Sequence, residues 1–486
     1  MILAAGNAAA GKAVIVGRSA QAGGAHANWW MMIRSPIGAI VVLGCLSALL
    51  ALPAHVANAR THHIASKHAK HGTGHRHRPA RRAHRKATKA APDASKQTIQ
   101  LGVPLPPKRP LKVLTRDEIL ASDPDRLARL GQHIIVGFAR FDELKPLVEK
   151  RAIGGIFVTD FNVRGRKAAD VAKDIRNLQD IRKAQGLPPL LLAADQEGGY
   201  VSRLSPPLKR QPALATLVDK NKSDAELETA VRKYAETQAR ELERIGVTMN
   251  FGPVVDLRLS SHRRDNGETQ LYWRAIDSNP YVVAKVAGWY CDTLTKFNII
   301  CTLKHFPGLG RVARDTHVTT GEISAGLPQL ELSDWVPFRR LMGKPGIATM
   351  VGHVSLEAVD KTTPASYSDI VINSIIRGRT KGDVLLITDD LGMGAVMRSP
   401  DGIGGAAVKA LNAGLDLLLL SDAALYYDTV MSALIEADTN HEINQARQIE
   451  SRKRMSKYVF VSSSEPQPTQ PLQAQKEPRH VPPPAN

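Results

Sequence analysis

Eight short, unbroken apolar runs, each followed by a longer segment of helical period, constrain this chain more than any other feature. They are HIIVGF at 133–138, GGIFVTDF at 154–161, LLLAADQE at 190–197, VTMNFGPVVD at 247–256, IICTLKHF at 299–306, IATMVGHV at 347–354, DVLLITDD at 383–390 and DLLLLSD at 416–422. A strand with one wet face alternates polar and apolar residues. These runs do not alternate, so they read as strands buried on both faces, the condition of a parallel sheet covered by helices. The gaps hold candidate helices. One spans Ser223 to Ile245, where SDAELE offers Ser or Asp as cap and Glu in the first turn, and another runs from Pro280 to Phe297. Eight strand–helix units between about residues 112 and 460 match the count and size of a (β/α)8 barrel of the TIM type. A doubly wound open sheet is the alternative, but it rarely needs eight regular repeats.

The strand ends carry a second signal. Six of the eight runs finish in ionisable groups: Asp195 and Glu197, Asp256, Lys304 and His305, His353, Asp389 and Asp390, and Asp422. In a barrel the C-terminal strand ends share one mouth, where chemistry is done. Any one of these residues could instead cap the helix that follows it. Convergence of six is harder to assign to capping.

Three places concentrate the chemistry. In LLITDDLGMG the neighbours Asp389 and Asp390 point to opposite sides of a regular strand, so one of them is expected to face a ligand. That carboxylate could be a glycosidase nucleophile, a metal ligand or a helix cap. In Asp315-Thr316-His317, a carboxylate beside an imidazole would set its tautomer and raise its basicity, giving a group that donates and accepts protons near neutral pH. No Ser or Cys nucleophile accompanies the pair. Lys304 and His305 should diverge on a regular strand, yet Pro307 and Gly308 end that strand at once, and a bend there could turn both inward. Asp195, in AADQEGGYVSRL, is followed by Gly198 and Gly199, which permit close backbone approach, and Arg203 could reach back over the site.

The ends of the chain differ from its middle. The formal charge is +19, but residues 60–90 alone hold ten Lys or Arg and seven His with no acidic residue. Such a stretch cannot bury a core and is expected to be a disordered linker, over 60–111, available for contact with an anionic surface or polymer. It does not point to specific nucleic-acid binding. Upstream, Arg34, an apolar run from Ile37 to Leu52 and Ala57-Asn58-Ala59 have the layout of a secretory signal, with an uncleaved anchor as competitor and a lipoprotein cysteine at Cys45 as a weaker one. Residues 1–59 are therefore read as an upstream extension plus signal, implying export to the periplasm or anchorage facing it, with a cytoplasmic location as the alternative. Residues 461–486, rich in Pro and Gln, read as a disordered tail. Cys291 and Cys301, on an expected helix and an expected strand, read as buried thiols rather than a disulfide.

Together, DQEGGYVSRL, NFGPVVD, WRAIDSNP, LKHFPGLG, RDTH and ITDDLGMGA resemble glycoside hydrolase family three, in its order and at similar spacing, across nearly all of residues 112–440. The resemblance is to its single-domain β-N-acetylglucosaminidases, which act on peptidoglycan fragments. It implies that Asp389 is the nucleophile of a retaining mechanism, that His317 is the acid/base with Asp315 as partner, and that Asp195, Arg203, Arg274, Lys304 and His305 hold the sugar. It also implies a loop that delivers His317 when substrate is present, a saccharide or muropeptide partner, and no requirement for a metal or organic cofactor. Two departures stand out: Leu309 where the family usually has His, and a longer, more basic connection between Asp256 and Arg274. A broader β-glucosidase or xylosidase of the same family would be expected to take a carboxylic acid/base from a further α/β domain, and nothing foldable is expected after residue 460. A non-catalytic wall-binding barrel is the reading from another class, opposed by the intact Asp389, Asp315 and His317.

Overall fold

The computed structural model describes residues 111–259 and 269–458. The signal-like segment, Cys45, the basic stretch at 60–90 and the Pro/Gln-rich tail lie outside the described residues.

All eight apolar runs form strands: β1 (Ile134–Gly137), β2 (Gly155–Val158), β3 (Leu191–Ala194), β4 (Met249–Asn250), β5 (Ile300–Phe306), β6 (Ile347–Val351), β7 (Leu385–Asp390) and β8 (Leu417–Leu420). They pair in chain order, and β1 closes the ring by pairing with both ends of the series: Ile135 lies opposite Gly155 of β2 and Leu419 of β8. Every pairing in the ring is parallel. The barrel expectation therefore holds, and the open-sheet alternative does not. Inward residues such as Ile135, Phe157, Met249, Ile300, Met350, Ile387 and Leu419 fill the interior, while the larger core lies between strands and helices.

Local chemistry explains where the helices begin and end. Ser223 caps the helix Asp224–Ile245: its hydroxyl accepts from Glu226 N–H at 3.3 Å while the Glu226 carboxylate accepts from Ser223 N–H at 2.8 Å. The helix stops where Gly246 takes φ +87°, which a side chain would resist. The helix Pro280–Leu294 is capped by Asn279 and tightens into a short 3-10 turn at Thr295–Phe297.

Cys291, on that helix, and Cys301, on β5, are joined as a disulfide, with Cα atoms 5.2 Å apart. This corrects the expectation of two buried thiols. Both residues are buried as expected, but helix-on-strand packing brings their backbones within bridging range, which linear spacing does not reveal.

At the N-terminal end of the barrel, the helix Gln445–Tyr458 closes the floor, and the Tyr458 hydroxyl donates to Ile347 O at 3.2 Å and Asp383 O at 3.3 Å. Asp416, fully buried, holds this end together. Its carboxylate accepts from Arg377 Nη2 (3.1 Å), Arg454 Nε (2.9 Å), Ser451 Oγ (2.7 Å) and Leu386 N–H (2.8 Å). Asp416→Ala would leave the Arg377 guanidinium without its counter-charge and Arg454 with only Glu450 at 3.9 Å, so a loss of about 3–5 kcal/mol in unfolding free energy is expected. Chemical denaturation of the variant beside the parent protein measures it, and a loss under about 1 kcal/mol would show that Asp416 is not the tie that its contacts suggest.

Candidate active site

At the opposite end, the C-terminal ends of the strands bring most of the candidate residues together. Between Leu303 and Phe306, β5 slips register against β6: three residues of β5 span two of β6. This bulge breaks the strand's alternation, and Lys304 and His305 both turn toward the mouth. The Lys304–His305 and Phe306–Pro307 peptides are cis. Lys304, 3% exposed, places Nζ 2.6 Å from Asp195 Oδ1 and 2.6 Å from Glu197 Oε1. Burial alone would lower its pKa, but the two carboxylates outweigh that and raise it.

Glu197 also takes a bidentate pair from Arg274, Nε at 2.9 Å and Nη2 at 2.7 Å, and Arg274 spends Nη1 on Thr269 O at 2.9 Å. Burial pushes the Glu197 carboxyl up, yet Arg274 and Lys304 together bring it well below the carboxylate range. The charges at the ends of β3 and β5 and on the excursion after β4 thus neutralise one another. Arg274 is committed to this network, whereas Arg203 donates its backbone N–H to Asp195 O at 3.0 Å and leaves its side chain exposed.

Asp256 organises the next layer. Its buried carboxylate accepts from His305 Nδ1 (2.7 Å), from His305 N–H (3.2 Å) and from Leu309 N–H (2.6 Å). Where a histidine would add a polar contact, Leu309 instead packs into the core through its side chain and keeps the loop tied through its backbone.

The two aspartates at the end of β7 divide as the strand geometry requires. Asp390 accepts from Ser421 Oγ (2.5 Å), Ser421 N–H (2.9 Å) and Gly392 N–H (3.1 Å), a structural role, and burial raises its pKa. Asp389 makes one local bond, from Asp390 N–H at 2.9 Å. Burial would raise its pKa, but the surrounding imidazoles of His305, His353 and His317 outweigh burial and hold it below the ordinary value. His353 is buried, with Nε2 3.0 Å from the Asp390 carbonyl and Nδ1 2.7 Å from Ser366 Oγ. A carbonyl only accepts, so Nε2 carries the proton and the hydroxyl donates to Nδ1, the neutral form that burial favours.

His317 reaches the site on the excursion after β5. Asp315 Oδ1 accepts from both His317 N–H (2.9 Å) and Nδ1 (2.8 Å), which leaves Nε2 to exchange protons. Burial pulls the imidazole down, but the bond to Asp315 and the charges of Asp389 and Asp315 raise it overall. The excursion is fastened over β7: Gly394 N–H donates to His317 O at 2.9 Å, and Ala395 N–H to Thr316 O at 3.3 Å.

Beside this centre, a cavity of about 530 Å³ is lined by Tyr200, Trp273, Tyr272, Arg210, Arg258 and Thr216 among others, with the Tyr200 and Trp273 ring centroids 6.3 Å apart. Sequence reading did not assign Glu197, Asp256 or His353 to the site. All three stood at strand ends, but their partners come from distant strands, loops and turns. Asp422, also at a strand end, only caps its helix, accepting from Ala424 and Leu425 N–H.

A family model described as the glycosyl hydrolase family 3 N terminal domain matches residues 127–457. A relative, the β-hexosaminidase LpqI of Mycobacterium tuberculosis, is 30% identical over 314 residues, covering 62% of this chain and 73% of the relative. Among solved structures, a glycosyl hydrolase of the GH3 family from Mycobacterium smegmatis has a TM-score of 0.60 at 30% identity, covering 70% of this chain and 98% of that one. A glycoside hydrolase family 3 β-N-acetylglucosaminidase from Paenibacillus has a TM-score of 0.61 at 28% identity, covering 68% and 61%.

A Cβ on Gly394 would lie 2.6 Å from His317 O and 2.5 Å from Val318 O, so Gly394→Val must displace the His317 excursion. Displacement of about 1 Å at a reacting group costs on the order of 10²-fold. The variant is expected to lose kcat by about that factor with a thermal midpoint close to the parent's; an unchanged kcat would mean that this contact does not place His317.

Proposed function

The chain belongs to glycosyl hydrolase family 3 and is a glycoside hydrolase, and from that premise we propose that it is a retaining exo-β-N-acetylglucosaminidase acting on peptidoglycan-derived sugars. One arrangement carries the reading. Asp389 is held ionised at the end of β7, and His317, backed by Asp315, is bonded through its carbonyl to Gly394, five residues further along the chain. The names of the relatives, a β-hexosaminidase and a β-N-acetylglucosaminidase, support the choice of sugar.

The reaction follows from the two pKa directions. Asp389 attacks the anomeric carbon as the glycosidic C–O bond breaks, and the His317 proton passes to the leaving oxygen. Neutral His317 then takes a proton from water, whose oxygen attacks the same carbon and releases Asp389. Asp195, Arg203, Lys304 and His305 would hold the sugar hydroxyls, with Arg274 positioning them through Glu197. The aromatic cavity at Tyr200 and Trp273 supports a substrate longer than one sugar, because the C–H face of a pyranose packs on an aromatic ring.

The proposal extends to compartment. The signal-like segment from Arg34 to Ala59 supports export, and so does the Cys291–Cys301 disulfide, since such bonds persist mainly in oxidising compartments. The basic stretch at 60–90 supports contact with an anionic wall polymer or surface, an attraction that salt would screen.

A chromogenic N-acetylglucosaminide is expected to be hydrolysed far faster than the matching glucoside, with NMR showing retained anomeric configuration. Equal or glucoside-favoured turnover would defeat the choice of sugar, and an inverted product would defeat the role of Asp389. Asp389→Ala should abolish turnover, and His317→Ala should reduce it about 10²- to 10⁴-fold. The pH profile of kcat/KM should be bell-shaped. Activity falls on the acid side as Asp389 takes a proton, below the ordinary Asp value, and on the alkaline side as His317 loses one, above the ordinary His value. Asp315 raises the His317 pKa, so Asp315→Asn should move the alkaline limb to lower pH; a limb that stays in place would dissociate it from His317.

A further inference from the structure

At the floor of the barrel, away from the mouth, a cavity of about 380 Å³ opens between the helices Ala168–Ala184 and Gln445–Tyr458 and the chain entering β2, β3 and β7. Leu187, Pro188, Pro189, Met455 and Tyr458 form its apolar walls, and four arginines line it with no Asp or Glu among the lining residues. Arg129 is accounted for by a two-pronged pair with Asp438, at 2.7 Å and 2.9 Å.

The other three arginines are not. Arg182 is 7% exposed and uses only Nε, on Pro188 O at 3.1 Å; its terminal nitrogens bond nothing among the described residues. Arg452, half-buried on the cavity wall, forms no ion pair among the described residues; its Nη1 is sealed from the cavity and has no partner there. Arg151, at the exposed rim, likewise has no counter-charge among them. Nearby carboxylates are already taken: Asp416 by Arg377 and Arg454, Asp383 by Lys457, and Asp438 by Arg126 and Arg129. Burial and the neighbouring charge of Arg151 lower the Arg182 pKa, the direction expected of cations gathered without an anion.

We propose that this cavity binds a phosphate-bearing small molecule, its oxyanion gripped by Arg182 and Arg151, with Arg452 adding positive charge to the wall and the apolar part resting on Pro188, Met455 and Tyr458. Buried charges are ordinarily paired, and a buried, unpaired guanidinium calls for a partner. The planar fork of Arg matches phosphate oxygens two at a time. Charge count selects phosphate over carboxylate: a monoanion would leave two of three cations uncompensated, whereas a dianion leaves one. The volume lies within the usual range for small-molecule sites. The site stands apart from the hydrolytic centre, and the proposal does not rest on the hydrolase reading.

The test is titration calorimetry on the full chain with phenyl phosphate, inorganic phosphate and benzoate, each against sodium chloride of equal ionic strength. Phenyl phosphate should bind best, at least tenfold tighter than benzoate. Arg182→Gln and Arg151→Gln should each weaken it about tenfold, Arg452→Gln severalfold, and Arg140→Gln, an exposed arginine elsewhere, not at all. Arg151→Gln should leave glycoside hydrolysis unchanged. If Arg182→Gln does not fold, the Arg452 and Arg151 variants decide the matter. Absence of binding beyond the chloride control, equal binding of benzoate, or undiminished affinity in the Arg452 and Arg151 variants would each overturn the proposal.

Discussion

The buried ammonium of Lys304 is the interaction on which the mouth of this barrel depends. It joins Asp195 at the end of β3 to Glu197, two residues further on, and Glu197 in turn secures Arg274 on the excursion after β4. Three chain segments that are distant in sequence are thereby held by charges that can exist so deeply buried only in one another's company. Removal of any one member would leave a buried charge unmatched, so the network acts as a unit. Arg274, which sequence reading assigned to the sugar, also orients the Glu197 carboxylate in this network.

Around this anchor, like side chains are driven to opposite proton affinities. Asp389 is lowered by imidazoles while Asp390, one residue on, is raised by burial among neutral donors. His317 is raised by Asp315, while His353, buried against Ser366 and a carbonyl, is lowered. Adjacent carboxylates and facing imidazoles are thus separated into a working and a supporting member by environment alone, and such separation assigns acid and base roles in active sites. The strand's alternation produces the first split, because it sends one aspartate to the mouth and its neighbour toward Ser421. The excursion after β5 produces the second, because its own Asx-type bond to Asp315 travels with the imidazole.

Sequence made the architecture legible because each strand is a continuous apolar run, and a run buried on both faces has few other places to go. The Ser223 cap was legible for the same local reason. The bend at Lys304 and His305 could be suspected from Pro307 and Gly308, but its form, one extra residue in β5 opposite β6, depends on register between strands. The pairing of Cys291 with Cys301 and of Glu197 with Arg274 was not readable, since each depends on how a helix or loop seats against a neighbour. His353 looked the same as His305 in sequence. Only the partners, a hydroxyl and a carbonyl for one and a carboxylate for the other, separate a supporting histidine from one that faces the ligand.

The two ends of the barrel show how differently the same residue types behave when the accounting of charge changes. At the mouth, every buried cation described above meets a carboxylate, and what remains open is the face turned to substrate: the Arg203 side chain, the outer oxygen of Asp389 and Nε2 of His317. At the floor, Asp416 and Asp438 satisfy five arginine contacts between them and leave Arg182 and Arg452 without an anion. A surplus of buried positive charge is unfavourable unless something neutralises it, and water alone is a poor substitute where Pro188, Met455 and Tyr458 form the walls. Sequence could not reveal that surplus, because the three arginines come from a loop, a mid-chain helix and the last helix, and each is unremarkable where it stands. The imbalance exists only once β2, β3 and β7 bring their entry points to the same end.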